Sequence, residues 1–185
     1  MPRWVATCRR CGAAAPDLAA LPPGAAEIVR SAPYRELDRP APALPFLRWA
    51  MLCDAAGDRH DAAEATLHAA WSLDDAGDAD GAAALRREAA RLWGTPDTAE
   101  SALRLLDVLR RAGDFAAAAA LAAGLGERAL DESSARLVAF QRERIAGRDA
   151  GRHLISSALR PPARTPHAAH GKRAEGGFWR RFLGR

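Results

Sequence analysis

The sequence predicts an all-α fold built from antiparallel helical hairpins, and three observations predict it. About a quarter of the 185 residues are alanine, the strongest helix former, which also lets helices pack closely. β-Branched residues are scarce, which disfavours sheet. The tripeptide Ala-Gly-Asp recurs at 56–58, 76–78 and 112–114. In each copy the glycine suits the left-handed residue that closes one helix, and the aspartate suits the cap of the next.

Three regions follow. Residues 1–43 hold an extended stretch leading into Cys8-Arg9-Arg10-Cys11-Gly12, then a proline-containing connector with a short helix expected at Ala25–Arg30. Residues 44–160 form the helical domain. About seven helices are predicted there, at 44–56, 59–75, 79–93, 96–112, 115–124, 131–146 and 150–160. Thr95-Pro96-Asp97 and Asp131-Glu132-Ser133 supply start signals, and Pro161-Pro162 ends the last helix. Short links make successive helices antiparallel neighbours. Residues 161–185 lack periodicity and are rich in Pro, His, Arg and Gly, the composition of a disordered tail.

An internal repeat sharpens the architecture. With Gly57-Asp58 laid on Gly113-Asp114, Phe46, Trp49, Ala50 and Cys53 match Ala102, Leu105, Leu106 and Leu109. Both sets run i, i+3, i+4, i+7, one buried face of a helix. After the turn, Ala62 and Ala69 match Ala118 and Leu125, small or apolar residues where the second helix crosses the first. This is a tetratricopeptide-like pattern. The helix at 79–93 is extra and breaks its period. In this register Met51, Asp54, Asp107 and Arg110 face the concave surface, where such arrays hold a peptide or helix.

The order of knuckle, connector and helices resembles an uncharacterised bacterial family, domain of unknown function 2225. The resemblance is carried by Cys8-Arg9-Arg10-Cys11-Gly12, Ala69-Ala70-Trp71, and Leu103 to Phe115 with the Arg142-containing helix, and it spans roughly residues 4 to 150. It implies no activity, since the family has none assigned. Members carry a second Cys-x-x-Cys pair, which this chain lacks.

Cys8 and Cys11 are metal-ligand candidates, with zinc as the expected cofactor. Two thiolates two residues apart converge on one ion, and Gly12 permits the turn behind them. They supply half of a four-ligand site. A second copy of the knuckle would complete it, while a vestigial knuckle and a redox-active pair remain alternatives. Cys53 sits on an apolar helix face as a core residue or, less simply, a third ligand. His60, Glu64 and His68 share a face expected to be solvated. Three cysteines are too few, and odd in number, for a disulfide framework.

No nucleophile elbow, phosphate loop or dinucleotide fingerprint occurs, so an enzyme is not expected. From Pro161 the chain has six basic residues against Glu175, a net of +5, which leaves residues 1–160 at −1 of the total +4. A near-neutral body argues against a nucleic-acid-binding domain. Phe178 and Trp179, interleaved with arginines near the C-terminus, suit docking to a partner or weak contact with an anionic membrane surface. With no signal-peptide-length apolar run, the expected compartment is the cytoplasm. The functional expectation is a non-catalytic protein-interaction or scaffold module, with a peripheral membrane or nucleic-acid-associated adaptor acting through the basic aromatic C-terminal tail as the alternative.

Overall fold

The computed structural model describes residues 5–159. Strands β1 (Ala6–Thr7) and β2 (Ala14–Ala15) pair antiparallel, with Ala6 opposite Ala15 and Thr7 opposite Ala14. Next come α1 (Ala25–Arg30), at its expected place, and an unforeseen single turn, α2 (Ala32–Arg35), with Pro33 in its first turn. The main body is α3 (Leu44–Ala55), α4 (Arg59–Asp75), α5 (Ala79–Trp93), α6 (Ala99–Arg111), α7 (Phe115–Gly126) and α8 (Glu132–Ala146). The short α9 (Ile155–Leu159) follows. The all-α prediction holds, with a small N-terminal unit. The residues proposed as a tail, including Phe178 and Trp179, lie outside the described residues.

The three Ala-Gly-Asp turns share one geometry. The glycines take φ of 83°, 81° and 74° at Gly57, Gly77 and Gly113, a region closed to most side chains. In each turn the aspartate N–H reaches back to the carbonyl five residues earlier: Asp58 to Cys53 at 2.9 Å, Asp78 to Leu73 at 2.9 Å, Asp114 to Leu109 at 3.0 Å. The same aspartates then accept the N–H of Asp61, Gly81 and Ala117 and so cap the next helix. Two orphaned helix ends are satisfied by three residues. A fourth reversal after α8 has the same hydrogen bonds, Arg148 to Ile145 and Asp149 to Arg144, but here an arginine occupies the left-handed position at φ 50°. Its guanidinium lies 4.9 Å from the Phe115 ring, a cation–π contact that offsets part of the backbone cost.

Two helix starts differ from prediction by more than one residue. α6 begins at Ala99, because Thr98 and Ser101 cap each other: the Thr98 hydroxyl accepts the Ser101 N–H and the Ser101 hydroxyl accepts the Thr98 N–H. This reciprocal pair outcompetes Pro96. α9 begins at Ile155 instead of 150, because the backbone at 149–151 is bound elsewhere, as described below. α7 runs two residues further than expected, and its last turn is closed by Arg142 of α8, which donates to the Ala122 carbonyl at 2.7 Å.

The core follows the repeat. Ala62, Ala69 and Ala118 are 0% exposed and Leu125 1%, as a close helix crossing requires. Ala50, Cys53, Ala102, Leu105 and Leu106 are buried, with Phe46, Trp49 and Leu109 packed at their margins. α3 and α4 form one hairpin with α5 laid against α4, and α6, α7 and α8 form the second unit. Leu67, Ala89 and Val108 join the two units through α4, α5 and α6. At the N-terminal end the knuckle hairpin packs on α3. Tyr34 is 1% exposed there; its hydroxyl accepts the Ala14 N–H at 3.0 Å and donates to the Gly12 carbonyl at 3.3 Å. Burial, only partly opposed by the Ala14 hydrogen bond, pushes this phenol's pKa up.

Candidate functional site

A cleft of about 1080 Å³ opens between the two helical units. Its apolar lining comes from Leu67 and Trp71 on α4, Leu103 and Val108 on α6, and Leu137 and Phe140 on α8. The chain after α8 crosses beside it as a strap, residues 149–159, contributing Leu154 and Ile155. Asp75, Glu100 and Arg152 also line it, and all three are exposed.

Two polar networks hold the walls. Asp74 of α4 receives Arg86 of α5 and, at 2.6 Å, Arg111 of α6. Three helices thus share one carboxylate. Both guanidiniums keep a buried Nε that finds no acceptor among the described residues. Burial, reinforced by the repulsion of Arg86, lowers the Arg111 pKa.

The second network centres on Arg110, whose side chain is 0% exposed. Its Nε donates to Gln141 Oε1 at 2.6 Å, one Nη to the carbonyls of Asp149 and Gly151 at 2.6 and 2.9 Å, and the other to Asp107 Oδ1 at 2.7 Å. Gln141 closes the triangle by donating to the same Asp107 oxygen at 3.0 Å. One fork therefore ties α6 to α8 and pins the strap. Asp149 locks the strap from within: it accepts from the Gly151 N–H at 2.7 Å and pairs with His153 Nε2 at 2.8 Å, and these contacts hold its carboxyl below the usual range. The His153 ring stands edge-on to Phe140 in the cleft wall.

The residues expected on a concave surface separate. Asp107 lines the cleft, with its side chain 42% exposed. Arg110 does not face open space; it is a buried clasp, because the chain at 149–151 folds back over it. Met51 packs beside Leu52, Val29 and Tyr34 in the N-terminal cluster, and Asp54 is exposed near the end of α3; neither lines the cleft. Sequence reasoning missed Phe140, Leu154 and Ile155. The signal available was an apolar Leu154-Ile155 pair following a turn-like Gly147-Arg148-Asp149, outside any repeat register.

The face carrying His60, Glu64 and His68 is not uniformly solvated. The His60 side chain is 72% exposed, but that of Glu64 is only 19% exposed and pairs with Arg104 of α6. His68 lies half-buried between Phe46 and Trp71, ring centroids 6.0 and 4.9 Å away, and burial lowers its pKa. The α3 and α6 side chains reach over α4 and cover what a lone hairpin would leave wet.

In the knuckle, Cys8 closes β1 and Cys11 is exposed. The Cys8 N–H donates to the Ala13 carbonyl at 2.7 Å and the Gly12 N–H to the Cys8 carbonyl at 2.9 Å, with Gly12 at φ 77°. The backbone N–H groups of Cys11 and Arg10 point at the Cys8 sulfur and lower its pKa. Cys53 is the opposite case: buried at 3% exposure and facing Asp61 and Asp58, its thiol is pushed up to about 12, mainly by desolvation. It belongs to the core. No cluster of three or more metal-ligating side chains forms among the described residues.

Comparison with protein-family models, with curated proteins and with solved structures gave no match to this chain. Among the described residues no helix is long and apolar enough to cross a membrane.

Proposed function

We propose that this chain is a non-catalytic interaction module whose cleft holds an amphipathic segment of a partner protein. One observation carries the reading. Among the described residues, four large hydrophobic side chains are exposed, and three of them, Leu154 at 65%, Ile155 at 67% and Leu159 at 37%, lie on the strap beside the cleft. Isolated exposed apolar residues need no explanation, but a cluster bordering an apolar, aromatic-lined cleft marks a contact surface. The exposed carboxylates of Asp75 and Glu100 enter no ion pair among the described residues and outnumber the exposed, unpaired Arg152 of the same lining, so the favoured segment carries basic residues beside its apolar face. The chain's own residues 160–185, arginine-rich with Phe178 and Trp179, have the same character and would compete for the cleft.

The test is selection of a phage-displayed peptide library on the full chain, with the selected peptides then measured against Leu154→Asp/Ile155→Asp. Both side chains are exposed, so the fold survives the exchange. Losing two apolar contacts of about 1 kcal/mol or more each weakens binding by roughly tenfold or more. Basic amphipathic peptides that lose affinity on the variant support the proposal; tighter binding by a 1–159 truncation identifies the tail as a competitor. Peptides that bind the double variant as well as the parent chain overturn it.

A further inference from the structure

We infer that the Cys8–Cys11 knuckle is half of a zinc site completed by the same knuckle of a second copy, so that the metal joins two chains. The inference is independent of the cleft. The geometry is that of a ligand turn already made: a two-strand hairpin brings the chain back on itself, Gly12 takes a left-handed φ of 77°, and the Gly12 N–H closes the turn on the Cys8 carbonyl at 2.9 Å.

The hairpin is also held rigidly. Ala13, Ala14 and Ala15 are 0–1% exposed, and Tyr34 bonds the backbone at Gly12 and Ala14 just after the turn, so the ligand pair does not have to be ordered when metal arrives. Cys11 together with Arg9 and Arg10 remains at the surface.

A structural zinc takes four ligands in a tetrahedron. Cys53 cannot be a third, since it is buried in the α3–α4–α5 cluster among Ala62, Ala63 and Leu92. No other group of ligating side chains gathers at the knuckle among the described residues. Two identical Cys-x-x-Cys turns related by a two-fold axis through the ion give four thiolates in that geometry, an isologous contact in which each copy contributes the same surface. Charge fits as well. Four thiolates on a divalent ion leave a net charge of about −2, and Arg9 and Arg10 of each copy supply four positive charges around it.

The experiment uses the reduced full chain with zinc alone as the probe, reading mass by light scattering and metal by elemental analysis. The inference predicts a mass that doubles with zinc and returns to that of the single chain with chelator, and about half a zinc per chain. With cobalt(II) in place of zinc the expected absorption is that of a tetrahedral tetrathiolate. Cys8→Ser and Cys11→Ser each stay single and bind no metal while the helical circular dichroism is unchanged. Arg9→Glu/Arg10→Glu keeps all four thiols and the fold but weakens the zinc-dependent dimer. One zinc per single chain, completed from within by residues such as His167 and His170, would overturn the inference. So would a dimer indifferent to chelator, a Cys8–Cys11 disulfide in the chain as isolated from cells, or no bound metal.

Discussion

Arg110→Ala tests how the strap and cleft are held. The side chain is 0% exposed and makes four hydrogen bonds, two of them to strap carbonyls. At a net worth of about 1 kcal/mol per bond the loss is about 4 kcal/mol. Asp107 is 42% exposed and recovers part of that by turning to water, as do the carbonyls of Asp149 and Gly151 if the strap lifts. Release of the guanidinium from its buried site offsets a further part. The expected destabilisation is therefore about 3 kcal/mol, a fall in Tm of roughly 6–12 °C for a chain of this size. Arg110→Glu should be worse, since it leaves a buried carboxylate beside Asp107. Urea unfolding gives the free energy, and amide hydrogen exchange gives its location: protection should drop first across 149–159 and the last turn of α8. A loss under about 1 kcal/mol, or a strap as protected as before, would refute the clasp.

Two further predictions concern ionisation. With chelator present, a disulfide-exchange reagent at about pH 8 should label Cys8 and Cys11 promptly and Cys53 only on unfolding, because a thiol at about 12 is ionised in roughly one molecule in 10,000 at that pH; prompt labelling of three thiols would contradict its core assignment. For His68, burial lowers the folded pKa below the ordinary 6.5, so the unfolded chain takes up the proton first as pH falls. The stability this histidine contributes is present above that value and is lost below it. His68→Phe keeps a ring between Phe46 and Trp71 and should flatten the fall in urea midpoint between about pH 7.5 and 5.5; an unchanged slope would assign the fall to other groups.

Much of the fold was legible because its signals are local. A Gly-Asp turn needs only a left-handed residue and a capping side chain, and both are read within six residues, which is why α4, α5 and α7 begin at their predicted positions. The start of α6 was misplaced because two local signals competed, and the mutual bonds of Thr98 and Ser101 prevailed over Pro96. The candidate site was less legible, since it depends on contacts between distant residues. Asp107 borders the cleft, but nothing within α6 tells that residues 149–151, about 40 positions on, will lie over Arg110. The same holds for His68: its spacing from His60 and Glu64 suggests one wet face, and only packing by Phe46 and Trp71 makes it half-buried.

The most direct test of the interaction reading is hydrogen exchange of the full chain with and without a library-selected basic amphipathic peptide. The account predicts added protection confined to the cleft-bordering segments, 67–75 on α4, 99–111 on α6, 134–141 on α8 and 152–158 of the strap, and absent in Leu154→Asp/Ile155→Asp. Protection centred elsewhere, on α1 or on the solvent side of α7, or protection that persists in the double variant, would contradict it.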